Sequence, residues 1–243
     1  MSFPVVIHGA SLSQVYSESS VKKMPLGTKL IGEDGRVWRY ALKSGAAAVA
    51  GDLQQAAANE ANHINRDVVT AGAIGDRTHA VTLGATAAAA DEYLDGFLLT
   101  ELDPGQGFAY TIGSHAAVDS AGVFTVPFAA GVSLKEATTT TTDVSLIHNP
   151  YRSVVVMPTS PTQVPAGVAM IALTASYYGW LQTNGPCAVQ GQGTLVLGQN
   201  AIVSGTTAGA VAPSADDVSV VVGYVMRVAP TTEASLIYLN LSA

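Results

Sequence analysis

The chain has 243 residues, enough for one large β domain or two smaller ones. Only 12% of them are charged against 48% apolar, the reverse of the balance that keeps a chain disordered, so most of it is expected to fold. A net charge of −7 without a basic stripe excludes a phosphate-neutralising surface; Lys22, Lys23 and Lys29, flanked by Glu18 and Glu33, read as a solvated patch.

Residues 1–25 are polar and Ser-rich after a short apolar start at Val5, Val6 and Ile7. Lacking a period, they are expected to form an N-terminal arm that orders on a partner. The opening has neither the basic start nor the long apolar core of a signal peptide, so secretion is not expected. No run of about 18 uninterrupted apolar residues follows, so no membrane span is expected.

A first β-rich unit is expected over residues 26–149. Residues 27–32 and 36–42 flank Glu33-Asp34-Gly35, and Asp-Gly between two strand-like runs predicts a hairpin. Residues 45–63 are rich in Ala and Gln but carry little large apolar surface and contain Gly51, so a short helix and an extended loop fit equally. Short β-prone runs then recur at 68–69, 80–83, 96–100, 108–112, 123–126 and 144–147, with turns at Asp103–Gly107 and Ser120–Gly122. The Thr run 138–142 is β-prone and leads into the last of these strands.

A second β-rich unit is expected over 150–243, with Asn149-Pro150 as the boundary, unless the two form one continuous domain. Its strands read at 153–157, 168–175, 177–183, 194–197, 218–228 and 234–241. Short strands at regular spacing predict an all-β, mainly antiparallel fold of sandwich, barrel or jelly-roll type. At most one short helix, near 45–63, is expected.

The residue types that carry chemistry are not arranged for it. His8, His63, His79, His115 and His148 show no ligand spacing, so hydrogen-bonded core or surface roles are expected, although three of them can still meet in space. Asp91, Glu92, Asp95, Glu101 and Asp103 lack the spacing of a calcium loop and read as a solvated loop. Cys187, alone, reads as a small buried or turn residue. There is no nucleophile elbow, dinucleotide loop or phosphate loop. No catalytic residue, metal or cofactor is therefore assigned.

The most distinctive segment runs from Ala175 to Cys187 and concentrates Tyr177, Tyr178 and Trp180 before Gln182 and an Asn-Gly-Pro turn. Its aromatics either fill the core or a subunit interface, which the flanking Leu173 and Leu181 favour, or offer a platform for a sugar. Tyr177, Tyr178, Trp180 and Gln182, with Val5, Val6 and Ile7 of the arm, are the candidate interface residues.

Gly179-Trp180-Leu181-Gln182-Thr183 followed by Gly185-Pro186, the runs Thr194–Gly198, Val222–Val225 and Ser235–Leu241, and the opening Leu26-Gly27-Thr28 with Gly32–Tyr40 together resemble head-decoration, or cement, proteins of tailed bacteriophages. The resemblance implies a β-rich subunit, often a homotrimer, that clamps the major capsid protein lattice at the virion surface after assembly in the host cytoplasm. It carries no catalytic residues across. The scarcity of surface charge fits a protein covered by sister subunits or a larger assembly. A fibre or receptor-binding protein, using the aromatic strand and the Thr run for carbohydrate, is the competing expectation. An enzyme is not expected.

Overall fold

The computed structural model describes residues 6–9, 12–214, 219–230 and 233–241. The chain divides into two compact units, one discontinuous (residues 1–57 and 150–243) and one inserted (residues 58–149). Both are built of strands joined by turns, with two short 3-10 turns among the described residues, at Leu12–Tyr16 and Ala61–His63.

The discontinuous unit contains β1 (Val6–His8), β2 (Lys29–Ile31), β3 (Val37–Leu42) and β4 (Leu53–Gln55). The inserted unit supplies β5 (Arg66–Asp67), β6 (Thr78–Thr82), β7 (Phe97–Thr100), β8 (Ala109–Thr111), β9 (Val123–Pro127) and β10 (Asp143–Ile147). The chain then returns through β11 (Val155–Val156), β12 (Pro165–Ala169), β13 (Tyr178–Gln190), β14 (Asn200–Val203), β15 (Val211–Pro213), β16 (Val221–Arg227) and β17 (Ala234–Asn240).

One sheet of eleven strands organises the discontinuous unit, in the order β1-β2-β3-β13-β17-β16-β14-β15, with β12 also on β13, β4 on β12 and β11 on β4. All its strand pairs are antiparallel except β1 with β2. The long β13 pairs with β3 through residues 178–184 and with β17 through residues 184–190. Its first half, Gly179–Thr183, is buried on both faces and therefore reads as a continuous run. Its second half alternates, with Cys187 and Val189 inward and Ala188 outward.

The predicted hairpin is present. Gly35 has φ +81°, the left-handed conformation a tight turn asks of this position, and its N–H donates to Gly32 O at 3.0 Å. The Asp34 carboxylate accepts from the Arg36 N–H at 3.1 Å and from Arg36 Nε at 2.6 Å, bracing the turn.

Three sequence expectations are corrected. Residues 6–9 and 12–25 are not a free arm: Val15 is fully buried, and Ser19 and Tyr178 exchange N–H···O bonds of 2.9 and 2.8 Å. Residues 26–57 do not belong with 58–149; β3 pairs with β13, so they complete the discontinuous unit. No strand forms at 194–197, where Val196 and Leu197 are exposed in a turn closed by Gln199 N–H to Val196 O and tied to β16 by Gly198 N–H to Val225 O. Elsewhere, the 45–63 segment takes the extended alternative: Ala48 bridges Leu173, and Gly51 (φ +87°) leads into β4, with no α-helix. Its backbone is satisfied across the sheet, by Gly51 N–H to Ala169 O and Leu53 N–H to Gly209 O.

The inserted unit is a closed ring. Its four-stranded sheet, β5-β10-β7-β8, and its two-stranded sheet, β6-β9, are joined by the bridges Ile112↔Phe128 and Val68↔Val81. Closure removes free edges and encloses a core of Val81, Leu98, Tyr110, Ile112, Phe124, Val126, Val144 and Leu146. Alternation predicts the inward residues: in β9, Phe124 and Val126 are buried while Val123 and Thr125 are exposed. The Thr run does not extend β10; Thr142 N–H donates to Thr139 O at 3.1 Å, making a turn ahead of the strand.

Candidate functional site

The candidate interface residues separate by burial. Trp180 (3% exposed) joins Val15, Leu26, Leu30, Trp38 and Tyr40 in a core cluster. Gln182 is fully buried. Tyr177 and Tyr178 are half-buried, Ile7 is half-buried and Val6 is exposed on β1; Val5 lies outside the described residues.

Gln182 has a structural task. Its Nε2 donates towards the carbonyls of Asn184 (3.1 Å), Gly185 (3.3 Å) and Pro186 (2.9 Å), holding the irregularity where β13 leaves β3 for β17. Gln182→Ala removes these three donations to partly buried carbonyls, and we expect a loss of about 2 kcal/mol in urea unfolding followed by tryptophan emission.

Around Tyr178 the sheet forms a cleft of about 210 Å³ against the N-terminal segment, lined by Glu18, Ser19, Lys23, Tyr40, Tyr178 and Trp180 among others. Tyr40 stacks on Tyr178 at 5.8 Å and meets Trp180 edge-on at 5.2 Å. Its hydroxyl accepts from the Lys23 N–H at 3.1 Å, and burial raises its pKa above the usual phenol value. Glu18 accepts from Thr174 N–H and Oγ1 at 2.7 and 2.8 Å, tying the segment to the sheet.

A second surface lies on β16 and β17. Tyr224 and Tyr238 are direct cross-strand partners, 48% and 42% exposed, on the face opposite the buried Val222, Val225, Ile237 and Leu239. Met226 and Val221 on the same strand, with Val196 and Leu197 in the turn beside Val225, are also exposed. Scattered exposed apolar residues are ordinary; two aromatics paired on one sheet face among Met and Val are not. Sequence reading located both strands but missed this surface. Its signal was the outward half of the alternation in Val221–Arg227 and Ala234–Asn240, which carries Tyr and Met where solvent normally selects polar side chains.

Several titratable groups are engaged inside the fold. Cys187 is buried, which pushes its thiol up to about 12. Lys43 is buried too, donating to the carbonyls of Ser44 (2.6 Å) and Val154 (3.1 Å); burial lowers its pKa against the opposing influence of Asp52. His63, His115 and His148 meet around Tyr93 in the inserted unit. Of the acidic stretch, Glu92 accepts from His148 Nε2 at 3.2 Å, and Asp91 accepts from the Ser114 hydroxyl at 2.8 Å. Among the described residues, no group of three His, Cys, Asp or Glu is arranged to hold a metal ion, and no helix is long and apolar enough to cross a membrane.

Comparison with protein-family models, with curated proteins and with solved structures gives no match. A functional reading therefore draws on the sequence and geometry of this chain. What that geometry presents is an all-β scaffold with an apolar aromatic sheet face and an aromatic cleft.

Proposed function

We propose that this chain is a virion structural protein that decorates a bacteriophage capsid, binding the lattice of the major capsid protein and associating with copies of itself as a homotrimer. The observation that carries the reading is the exposed, paired Tyr224 and Tyr238 on the β16–β17 face. Burying such a face against a lattice removes apolar surface from water, with aromatics as anchors. The sequence resemblance to cement proteins supplies the identity of the lattice. Stabilisation then follows from mass action: a subunit that binds the assembled shell and not its free components shifts the equilibrium towards the shell.

Tyr224→Ser with Tyr238→Ser tests this. Both side chains stand outside the core, so the unfolding free energy should fall by no more than about 2 kcal/mol, through lost strand preference and the lost cross-strand pair. Co-sedimentation with capsids lacking the protein should fall at least tenfold. Capsid binding that survives both substitutions removes this face from the mechanism.

A carbohydrate-binding role is the second reading, favoured by the Tyr40–Tyr178–Trp180 cleft. Trp180 is a core residue, so its removal would confuse binding with folding. Tyr178→Ala is the cleaner probe: glycan-array binding present in the parent protein and lost in this variant establishes the role, and a parent protein that binds no glycan ends it.

A further inference from the structure

The chain's charge is not shared between its two units. Eleven of the eighteen Asp and Glu, but only three of the eleven Lys and Arg, lie in residues 58–149, which leaves −8 on the inserted unit and +1 on the discontinuous one. The smaller unit therefore carries the whole net negative charge of the protein.

None of those eleven carboxylates is buried, and Asp67, Asp76, Asp103, Asp119 and Glu136 are exposed. Asp76 lies between β5 and β6, Asp103 between β7 and β8, Asp119 between β8 and β9, and Glu136 between β9 and β10. Asp91, Glu92 and Asp95 occupy the remaining connection, between β6 and β7, so every connection between successive strands carries at least one carboxylate. The strands are antiparallel around the ring, so these connections fall alternately at its two ends. On the ring wall, Asp67 of β5 and Asp143 of β10 are direct cross-strand partners, and the Glu101 N–H donates to Asp143 O at 2.8 Å. Like charges directly opposite weaken a ladder, so this density of anions is held at a cost to the pairing. A footprint for one basic partner would gather its carboxylates on one face; here they cover both ends and the wall. Closure of the ring also leaves, among the described residues, no free strand edge for another chain to extend.

The discontinuous unit is built the other way. Across β14, β16, β17 and β13 the cross-strand row Asn200–Tyr224–Tyr238–Pro186 is uncharged. Arg227 is the single charged residue of Val221–Arg227 and Ala234–Asn240.

We propose that the inserted unit is an anionic spacer: it stays out of the contacts, which the discontinuous unit makes, and its charge holds neighbouring copies and decorated particles apart. The identity of the contacts rests on the proposed function; the repulsion does not. Two copies meeting through their inserted units would oppose −8 to −8. That repulsion acts within a Debye length of about 10 Å at 0.1 M salt. A near-neutral unit raises no such barrier, and net charge far from zero keeps a protein dispersed.

Static light scattering of the full chain tests the repulsion. Asp67→Asn, Asp103→Asn, Asp119→Asn and Glu136→Gln together take the net charge from −7 to −3. Repulsion scales with the product of the charges, so the positive second virial coefficient expected of the parent in about 20 mM NaCl should fall about fivefold. Asp119→Asn with Glu136→Gln, at −5, should lower it about twofold and stands in if the fourfold variant does not fold. Self-association and co-sedimentation with capsids should stay within about threefold of the parent, since no contact loses a charge. A virial coefficient that keeps its parent value overturns the proposal by denying the repulsion. Self-association or capsid binding that moves further than about threefold overturns it by placing the inserted unit in a contact. A parent that neither self-associates nor binds capsids removes the proposed function, and light scattering then decides the spacer alone.

Discussion

Gly223→Ala is expected to cost the discontinuous unit about 3 kcal/mol, since an added Cβ there makes the closest approach found at any described glycine. Gly223 sits on β16 between Ala201 of β14 and Leu239 of β17. A Cβ there would stand 2.1 Å from Tyr238 O and 2.9 Å from Tyr238 C. These are backbone atoms in the centre of a ladder, so no side-chain rotation relieves the contact. The strands must separate, and they carry Val222, Val225, Ile237 and Leu239 of one core cluster. Urea unfolding followed by tryptophan emission measures the loss. Gly205→Ala is the matched control, since a Cβ at that exposed glycine meets nothing within 4 Å, and its midpoint should stay at the parent value. Equal midpoints for the two variants would show that β16 and β17 do not approach as closely as described.

Tyr93→Ala should destabilise the inserted unit by about 4 kcal/mol. Tyr93 is fully buried, and its ring lies flat against His148 (4.7 Å, 5°) and meets His63 edge-on (5.7 Å, 69°), with Phe124 also in contact. Truncation leaves a cavity and removes the hydroxyl donor of His63. Tyr93→Phe separates the two effects: the packing remains, His63 Nδ1 is left unpaired, and a loss of about 1–2 kcal/mol is expected. The inserted unit contains no tryptophan, so amide exchange in β7 and β10 is the proper measurement. A Tyr93→Phe variant as damaged as Tyr93→Ala would move the weight from ring packing to the hydrogen bond.

The two aromatic surfaces of the discontinuous unit differ in what they imply. In the cleft, Trp180 and Tyr40 are almost wholly buried, and the ring faces meet each other. On β16–β17 the tyrosines are about half exposed and oppose each other across the two strands. The proposed capsid contact is a reason for keeping aromatics in those positions.

Local chemistry carried much of the fold in the sequence. Short β-prone runs marked β3, β9, β16 and β17, and Asp34-Gly35 marked the hairpin, because strand preference and a left-handed turn are properties of adjacent residues. The aromatic run Tyr177–Trp180 left core, interface and ligand platform open, and the structure puts Trp180 in the core with Tyr177 and Tyr178 half-buried. Pairing at a distance was not legible. That β3 joins β13, so that residues 58–149 form an insertion, depends on contacts between segments far apart in the chain. The meeting of His63, His115 and His148 on Tyr93 is of the same kind, since loops from separate strands deliver each ring and no ligand spacing encodes it. Composition and period therefore determined that this is an all-β chain of short strands. Only the tertiary structure decided which strands meet, which histidines end up buried, and which aromatics remain outside, because those outcomes follow from long-range packing and not from neighbours in sequence.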